Sequence, residues 1–174
     1  MAKIGMKLTK MEISNNSNKE IHALIIGDEI LSGKRTDKHL TYLINILKDH
    51  NFQLSRADYV PDDTEKIQKT LESKIGKIVF CFGGIGATPD DCTRSAAALA
   101  HKKSLICHPE AKALIENQFG KNAYPKRILM AELPKGAFLL PNTINNIPGF
   151  FIDQHYFMPG FPEMAWPMID WIIK

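Results

Sequence analysis

The sequence has few cysteines and no long hydrophobic run, and each shortage excludes a class of protein. Only Cys81, Cys92 and Cys107 are present among 174 residues, and they form no C-x-x-C pair. Neither a disulfide framework nor a zinc site is therefore indicated. No apolar run approaches the roughly 20 residues that cross a bilayer, and the N-terminal segment lacks the apolar core of a signal peptide. We expect a cytoplasmic protein with reduced thiols.

Neither sign of charge is in large excess, and the common nucleotide motifs are missing. The 22 Lys and Arg residues against 19 Asp and Glu residues leave a net charge of +3, too small to indicate a nucleic acid or a membrane as partner. The six histidines have no H-x-H or H-x-x-x-H spacing, which argues against a histidine metal site. Pro89 occupies the third glycine position of a Rossmann fingerprint, and Arg35 stands where a P-loop needs Ser or Thr.

Short apolar segments alternate with helical patterns from residue 21 onward. The segments IHALIIG (21–27) and KIVFCF (77–82) have the composition of strands buried on both faces. The alternation predicts an α/β fold, with a mostly parallel sheet covered by helices, as one domain over residues 21–174. Closely spaced strands after residue 136 predict an antiparallel edge. Residues 1–20 are polar and are predicted to form an N-terminal arm.

The segment FGGIGATPDD (82–91) directly follows the second buried strand. Ligands of open α/β sheets bind beyond the carboxyl ends of strands, and glycines let backbone N–H groups approach a ligand. Thr88 as N-cap and Pro89 as first helical residue predict a helix start with free N–H groups for a phosphate. Asp90 and Asp91 have two interpretations: they complement the helix dipole, or one of them holds a divalent cation that bridges to the phosphate.

A second polar segment, GDEILSGKRTDKH, follows the first predicted strand. It is either a polar surface loop or a binding loop. As a binding loop, Asp28 or Glu29 would bind a cation or a polar ligand group, while Ser32 and Gly33 would contact phosphate. Asp37 is predicted to cap the helix that follows.

A third unusual segment, FMPGFPEM (157–164), places two prolines around Gly160. Proline restricts the backbone, so this segment predicts a rigid turn. It is either a structural turn or a preorganised wall for a ligand.

These motifs, in this order, resemble a known family. GDEILSGKRTDKH, VPDD, FGGIGATPDDCT, MAELPKGAFLLPN, IPGF and MPGFPEM are similar to the molybdopterin-binding domain family of MogA, MoaB and the N-terminal domain of CinA, with stand-alone CinA-like proteins nearest. The resemblance covers residues 21–173. It implies a three-layer α/β/α sandwich, a homo-oligomer (trimer or dimer) and Mg²⁺ or another divalent cation at a phosphate site.

The resemblance and the residue patterns together define the predicted site. Asp91 and Asp28 are the candidate catalytic residues, and Asp91, Asp90 and Asp28 are the candidate metal ligands. Many relatives have proline at the position of Ala87. The predicted ligand contacts are Gly27, Ser32, Gly33, Asp37, Gly83, Gly84, Gly86, Ala87, Thr88, Pro159, Gly160 and Pro162.

Three functions remain open on the sequence. The first is binding of a phosphate-bearing pterin or nucleotide, such as molybdopterin, at the glycine-rich loop with a divalent cation. The second is a metal-dependent pyrophosphatase acting on ADP-ribose or a related nucleotide, as the resemblance to CinA implies. The third is a non-catalytic assembly or regulatory protein. Whether the chain is an enzyme, and which ligand and metal it takes, are left open by the sequence.

Overall fold

A central mixed sheet organises residues 20–173, the part of the chain that this computed structural model describes. The predicted polar arm lies outside these residues, apart from Glu20. Within them the chain forms eight strands. They are β1 (Ile21–Ile26), β2 (Leu54–Val60), β3 (Ile78–Phe82), β4 (Leu105–Cys107), β5 (Glu132–Pro134), β6 (Phe138–Leu140), β7 (Gly149–Ile152) and β8 (His155–Met158).

The six-stranded sheet has the order β2-β1-β3-β8-β7-β6. The first four strands are parallel, and β7 and β6 complete the sheet with antiparallel pairing. The predicted parallel sheet with an antiparallel edge after residue 136 is therefore confirmed. β4 and β5 pair separately as a two-stranded antiparallel ribbon.

Helices cover both faces of the sheet, which confirms the predicted three layers. The second and sixth helices pack with one core cluster, and the third, fourth and fifth pack with the other. No helix within residues 20–173 has both the length and the apolar character needed to span a membrane. The helices are α1 (Asp28–Leu31), α2 (His39–Asp49), α3 (Thr64–Glu72), α4 (Thr93–Ala100), α5 (Pro109–Phe119) and α6 (Pro162–Ile173).

The apolar composition of the central strands follows from their position between the two helix layers. Ala23 and Ile25 of β1 belong to the core beneath α2 and α6, whereas Leu24 and Ile26 belong to the opposite core. Successive side chains of a strand point to opposite faces, so a strand covered on both sides has no polar face.

Three local predictions differ from the structure. Residues after Gly27 form the short helix α1 rather than a plain loop. The helix after the glycine segment begins at Thr93, not at Thr88 or Pro89, because residues 88–91 make a turn in which the Asp91 amide donates to the Thr88 carbonyl at 3.0 Å. The sequence also predicts a C-terminal helix interrupted by Pro167, but α6 continues through this residue.

A buried polar cluster lies at the amino-terminal end of the parallel strands. The Lys74 side chain is only 3% exposed and donates to Asp58 Oδ2 and to His22 Nδ1. Arg56 binds the same carboxylate from the solvent side. Burial acts to raise the pKa of Asp58, but the hydrogen bonds from Arg56 and Lys74 outweigh it, so the pKa is lowered.

Replacing Asp58 by Asn should destabilise the fold, because it leaves the Lys74 charge buried without its counter-ion. We expect a loss of roughly 3 kcal/mol or more in the free energy of unfolding, measured by urea denaturation. Arg56→Gln removes an exposed partner of the same carboxylate and should cost about 1 kcal/mol or less. Equal losses in the two variants would contradict this account.

The same carboxylate makes wild-type stability depend on pH. Because the folded-state pKa of Asp58 lies below its usual value of 3.8, its contribution is present above that value and is lost as the pH falls through the folded-state pKa. Asp58→Asn should therefore lose less stability than the wild type between pH 5 and pH 2, compared by urea denaturation at each pH.

Leu71→Ala should cost about 2 to 5 kcal/mol in the free energy of unfolding, because Leu71 is fully buried between α3 and the sheet. Ile75 follows Leu71 by four residues, the spacing of one helix face, but it lies beyond the end of α3 and is 51% exposed. Ile75→Ala is the matched control and should change stability by about 0.5 kcal/mol or less. Similar urea midpoints for the two variants would refute this placement of the core.

Candidate functional site

Four loops meet at the carboxyl edge of the parallel strands. They follow β1, β2, β3 and β8 and comprise residues 27–38, 61–63, 83–92 and 159–161. The three segments singled out in the sequence therefore lie at one edge of the sheet, as ligand sites in open α/β sheets do.

The glycine loop (residues 83–88) is held by its carbonyl groups, which bind the start of α4. Thr93 Oγ1 donates to the Gly83 carbonyl and the Thr93 amide donates to the Gly84 carbonyl, both at 3.0 Å. Arg94 Nη2 donates to the Gly86 carbonyl, also at 3.0 Å. Three peptide groups of the loop are thus turned with their oxygens toward α4.

The amide groups of the same three peptides point the other way. The C=O and N–H of a planar trans peptide are directed oppositely, so the amides of Gly84, Ile85 and Ala87 are directed away from α4. Among residues 20–173, none of these amides has a hydrogen-bond partner. By contrast, the Gly83 amide is used internally, donating to the Met158 carbonyl at 2.9 Å.

Side chains would not fit in this loop. A Cβ on Gly83 would lie 2.3 Å from the Ile26 carbonyl oxygen, and one on Gly84 would lie 2.1 Å from Thr93 Oγ1. Both glycines also have positive φ, at 100° and 71°, a region that favours glycine. The loop therefore needs glycine to stay close to β1 and α4.

A cavity of about 300 Å³ opens beside these amides; we call it the glycine-loop cavity. It is bounded on one side by Gly84–Thr88 and Asp91, and its other walls are mainly apolar. Asn142 and Asn145 also line it, but their side-chain groups bond to each other and to neighbouring residues. The remaining lining residues are Phe119, Met130, Ile147, Pro148, Pro159, Gly160, Phe161 and Met164.

Asp91 lies at this cavity with one carboxylate oxygen already bonded. Its Oδ2 accepts from the Thr88 amide at 2.9 Å and from the Thr88 hydroxyl at 2.7 Å. Its Oδ1 has no hydrogen-bond partner within the described part of the chain. A Cβ on Gly86 would lie 2.5 Å from Asp91 Oδ2, so the close packing of this carboxylate requires glycine at position 86. Asp90 is exposed and does not line the cavity.

Asp28 and Asp62 form a reciprocal pair next to the glycine loop. The Asp28 amide donates to Asp62 Oδ2 at 3.0 Å, and the Asp62 amide donates to Asp28 Oδ1 at 3.2 Å. Burial raises the pKa of Asp62, and the nearby charges of Asp28, Glu29 and Asp91 raise it further. Within residues 20–173, no three His, Cys, Asp or Glu side chains are grouped so that they could hold a metal ion.

A second cavity, of about 550 Å³, lies on the other side of Gly160 and Phe161; we call it the arginine cavity. Arg35 Nη2 and His39 Nε2 both donate to the Gly160 carbonyl, at 2.7 and 3.0 Å. His39 also stacks on Phe82, with ring centroids 4.5 Å apart, and its burial lowers its pKa. This cavity is lined by Ile25, Ile26, Glu29, Ile30, Arg35, Thr36, Asp37, Lys38, His39, Phe82, Gly160, Phe161, Pro162, Glu163 and Trp166.

Phe161 forms part of both cavities. Its side chain is large and 51% exposed, and the Arg35 guanidinium lies over its ring, 5.1 Å from the centroid. Arg35 therefore supports both the backbone and the aromatic ring of this turn.

The predicted site residues divide into those that the fold brings together and those that it does not. The glycine-loop cavity contains Gly84, Gly86, Ala87, Thr88, Asp91, Pro159 and Gly160, and the arginine cavity contains Asp37, Gly160 and Pro162. Asp37 also caps α2, since its carboxylate accepts from the amides of His39 and Leu40. The predicted residues that line neither cavity are Gly27, Asp28, Ser32, Gly33, Gly83 and Asp90.

Several lining residues were not predicted as site residues, although a signal for some was present. Met130 and Asn142 are the first and last residues of the motif MAELPKGAFLLPN, and Met164 ends the motif MPGFPEM. Arg35 and His39 lie within the motif GDEILSGKRTDKH, whereas Phe119 and Trp166 stand out by no local pattern. They reach the cavities only because distant segments pack at this edge.

Comparison with known proteins places this arrangement in a family. A family model described as a probable molybdopterin binding domain matches residues 22–174. A CinA-like protein of Citrifermentans bemidjiense is 34% identical over 160 residues, which cover 86% of this chain and 38% of that protein. A CinA-like protein of Desulfosudis oleivorans is 31% identical over 156 residues, covering 84% and 38%. The chain thus spans less than half the length of these relatives.

Solved structures agree with this assignment. The protein CinA of Thermoplasma acidophilum, whose function is described as unknown, superposes with a TM-score of 0.80 at 25% identity, covering 87% of this chain and 95% of that one. The molybdopterin biosynthesis Mog protein of Mycobacterium ulcerans shares the fold, with a TM-score of 0.54 at 15% identity over 88% of this chain and 91% of that one. Because the family model covers almost the entire chain, this protein belongs to the molybdopterin-binding domain family.

Proposed function

We propose that this protein binds a phosphate-bearing pterin or nucleotide, with the phosphate at the glycine loop. The observation that carries the proposal is the set of three unbonded amides, from Gly84, Ile85 and Ala87, beside a cavity. Backbone N–H groups gathered in a glycine-rich turn form an anion-binding concavity. The sequence predicted that the phosphate contacts the start of a helix. We assign the phosphate to the loop amides instead, because the Thr93 amide at the start of α4 already donates to the Gly84 carbonyl.

The walls of the glycine-loop cavity suit the rest of such a ligand. Phe119, Met130, Ile147 and Met164 provide apolar and aromatic surface, and ligand sites combine such walls with a few polar groups. Phe161 presents an exposed ring at the boundary with the arginine cavity. A planar heterocycle joined to a phosphate would place its charge at the amides and its ring against these side chains. The name of the Mog protein, a molybdopterin biosynthesis protein, supports a pterin as one candidate.

A divalent cation fits this site when the ligand completes its coordination. Mg²⁺ is usually held by one or two carboxylates together with substrate phosphates and waters. Asp91 offers its unbonded Oδ1 at the cavity, whereas Asp28 stands outside the cavity wall and Asp90 is exposed. Asp91 is therefore the residue that would hold the cation, with Asp28 as the further candidate. Bound there, Mg²⁺ would neutralise phosphate charge.

A second candidate function is hydrolysis of ADP-ribose or a related dinucleotide. The observation that favours it is the pair of cavities separated by Gly160 and Phe161, since ADP-ribose carries an adenosine and a ribose at the two ends of its diphosphate. The acidic groups of Asp28, Asp62 and Asp91 lie on the side of the glycine loop. A regulatory protein without turnover is the remaining alternative.

Ligand binding should raise the melting temperature. At a ligand concentration of about 100 Kd we expect a gain of about 2.7 kcal/mol, or roughly 5 to 10 °C for a chain of this size. The measurement is a thermal scan with molybdopterin, AMP or ADP-ribose, each with and without Mg²⁺. No shift with any of them would contradict the binding proposal.

The same samples separate binding from hydrolysis. ADP-ribose incubated with Mg²⁺ is analysed for AMP by chromatography. AMP release that Asp91→Asn abolishes would support the pyrophosphatase, and a thermal shift without AMP release would support the binding protein.

Gly86→Ala should weaken ligand binding, because its Cβ would displace the Asp91 carboxylate from the loop. We expect at least a tenfold rise in Kd, which corresponds to about 1.4 kcal/mol, measured by isothermal titration with the ligand that gives the largest thermal shift. Gly136→Ala is the control, because a Cβ at this position would have no atom within 4 Å and Gly136 lines neither cavity. Its positive φ means that this substitution will cost some stability. Unchanged affinity in Gly86→Ala would count against the glycine loop as the phosphate site.

The homo-oligomer also remains a prediction. Sedimentation velocity of the full chain would give its mass in solution.

A further inference from the structure

Arg94 is a buried cation that stands behind the glycine loop. The residue is only 8% exposed. Its Nη1 donates to the carbonyls of Leu129 and Glu132, and its Nη2 donates to the carbonyl of Gly86. All three partners are neutral backbone groups.

No carboxylate among residues 20–173 is within ion-pair distance of this guanidinium. Burial lowers the pKa of Arg94, while the charges of Glu132 and Asp91, which are near but not in contact, act to raise it. Buried charges are normally paired, because desolvation is costly. Within the described part of the chain, the cationic group of Arg94 therefore has no directly bonded counter-charge.

The bond to Gly86 determines the direction of one amide in the loop. The Gly86 carbonyl and the Ala87 amide belong to a single planar peptide. Because Arg94 holds that carbonyl, the Ala87 N–H is directed away from Arg94, and Ala87 lines the glycine-loop cavity. A cation bonded to the carbonyl also polarises the peptide, which strengthens its N–H as a donor.

The other two bonds of Arg94 connect the loop to a second wall. Leu129 lies in a 3₁₀ turn at Arg127–Ala131, and the next residue, Met130, lines the glycine-loop cavity. One side chain therefore sets the spacing between the amides and the apolar wall that faces them.

We propose that Arg94 is a positioning residue for the anionic group of the ligand. It orients the Ala87 amide, and its charge attracts the anion through the Gly86–Ala87 peptide without touching it. This role rests on the proposed function, since it assumes a phosphate at the glycine loop. The bound phosphate in turn supplies the counter-charge that the buried guanidinium lacks.

The experiment compares Arg94→Gln and Arg94→Lys with the wild type, using AMP as the probe. Gln removes the charge, and Lys keeps the charge but cannot reach three carbonyls. Arg94→Gln should raise the Kd for AMP about tenfold, and Arg94→Lys should raise it less. Arg56→Gln removes an exposed cation of β2 that lines neither cavity and should leave the Kd within twofold.

Two readouts distinguish this role from simple loss of structure. The second ionisation of a phosphate monoester has a pKa of about 6, so the wild type should bind AMP more tightly at pH 7.5 than at pH 5. Arg94→Gln should reduce that preference for the dianion, whereas a merely loosened cavity would weaken binding equally at both pH values. In the free protein, Arg94→Gln should also shift the ¹H and ¹⁵N signals of the Ala87 amide.

Binding of AMP by Arg94→Gln within twofold of the wild type, or an unchanged Ala87 signal, would overturn the proposal. If circular dichroism indicates that Arg94→Gln is unfolded, Arg94→Lys provides the test. A shifted Ala87 amide signal in Arg94→Lys would then support the proposal, and an unchanged signal would overturn it. If the wild type binds neither AMP nor inorganic phosphate, the proposed function fails, and the Ala87 signal still decides whether Arg94 orients the loop.

Discussion

The site depends on the bonding of the glycine-loop carbonyls to the first turn of α4. Once Thr93 and Arg94 hold the oxygens of Gly83, Gly84 and Gly86, the amides of the same peptides can only face away from the helix. A glycine turn without these bonds would sample many orientations, since glycine is the most flexible residue. The first turn of α4 therefore orients the loop through the Thr93 amide and the side chains of Thr93 and Arg94.

Close packing and exposed amides are two results of the same arrangement. The loop lies so near Ile26 and Thr93 that a Cβ on Gly83 or Gly84 would collide with them. Packing on that side leaves the opposite side of the loop open. Asp91 then closes the turn, because its Oδ2 accepts two hydrogen bonds from Thr88. Its Oδ1 has no hydrogen-bond partner among the described residues and lies at the edge of the cavity. The same short segment thus provides both donors and an acid.

The turn after β8 is held by a different set of contacts that converge on one carbonyl. Arg35 and His39 both donate to Gly160, and Arg35 also covers one face of the Phe161 ring. Arg35 comes from the loop after β1 and His39 is the first residue of α2, so the segments that flank the two cavities support each other. Packing of the strands in the order β1, β3, β8 brings together loops that are more than 100 residues apart in the chain.

Much of the architecture could be predicted from local patterns. Apolar runs predicted the buried strands β1 and β3, and glycines with neighbouring acids marked the loop at residues 83–91. Local patterns failed where longer-range bonds compete with local preference. Thr88 has the side chain of an N-cap, but it bonds Asp91 in a turn, and the helix starts five residues later. The histidines have no pairing in the sequence, yet His101 and His155 meet at 3.0 Å in the fold.

The sequence by itself determined the alternation of strands and helices, the family motifs and the glycines of the loop, because these depend on residue type and short spacing. Only the tertiary structure decided which amides are unbonded, that Arg94 lies behind them, and that Phe119 and Met164 complete the cavity wall. Those properties depend on contacts between segments that are far apart in the chain. The direction of a peptide group depends on which donor binds its carbonyl, and that donor is brought there by the fold.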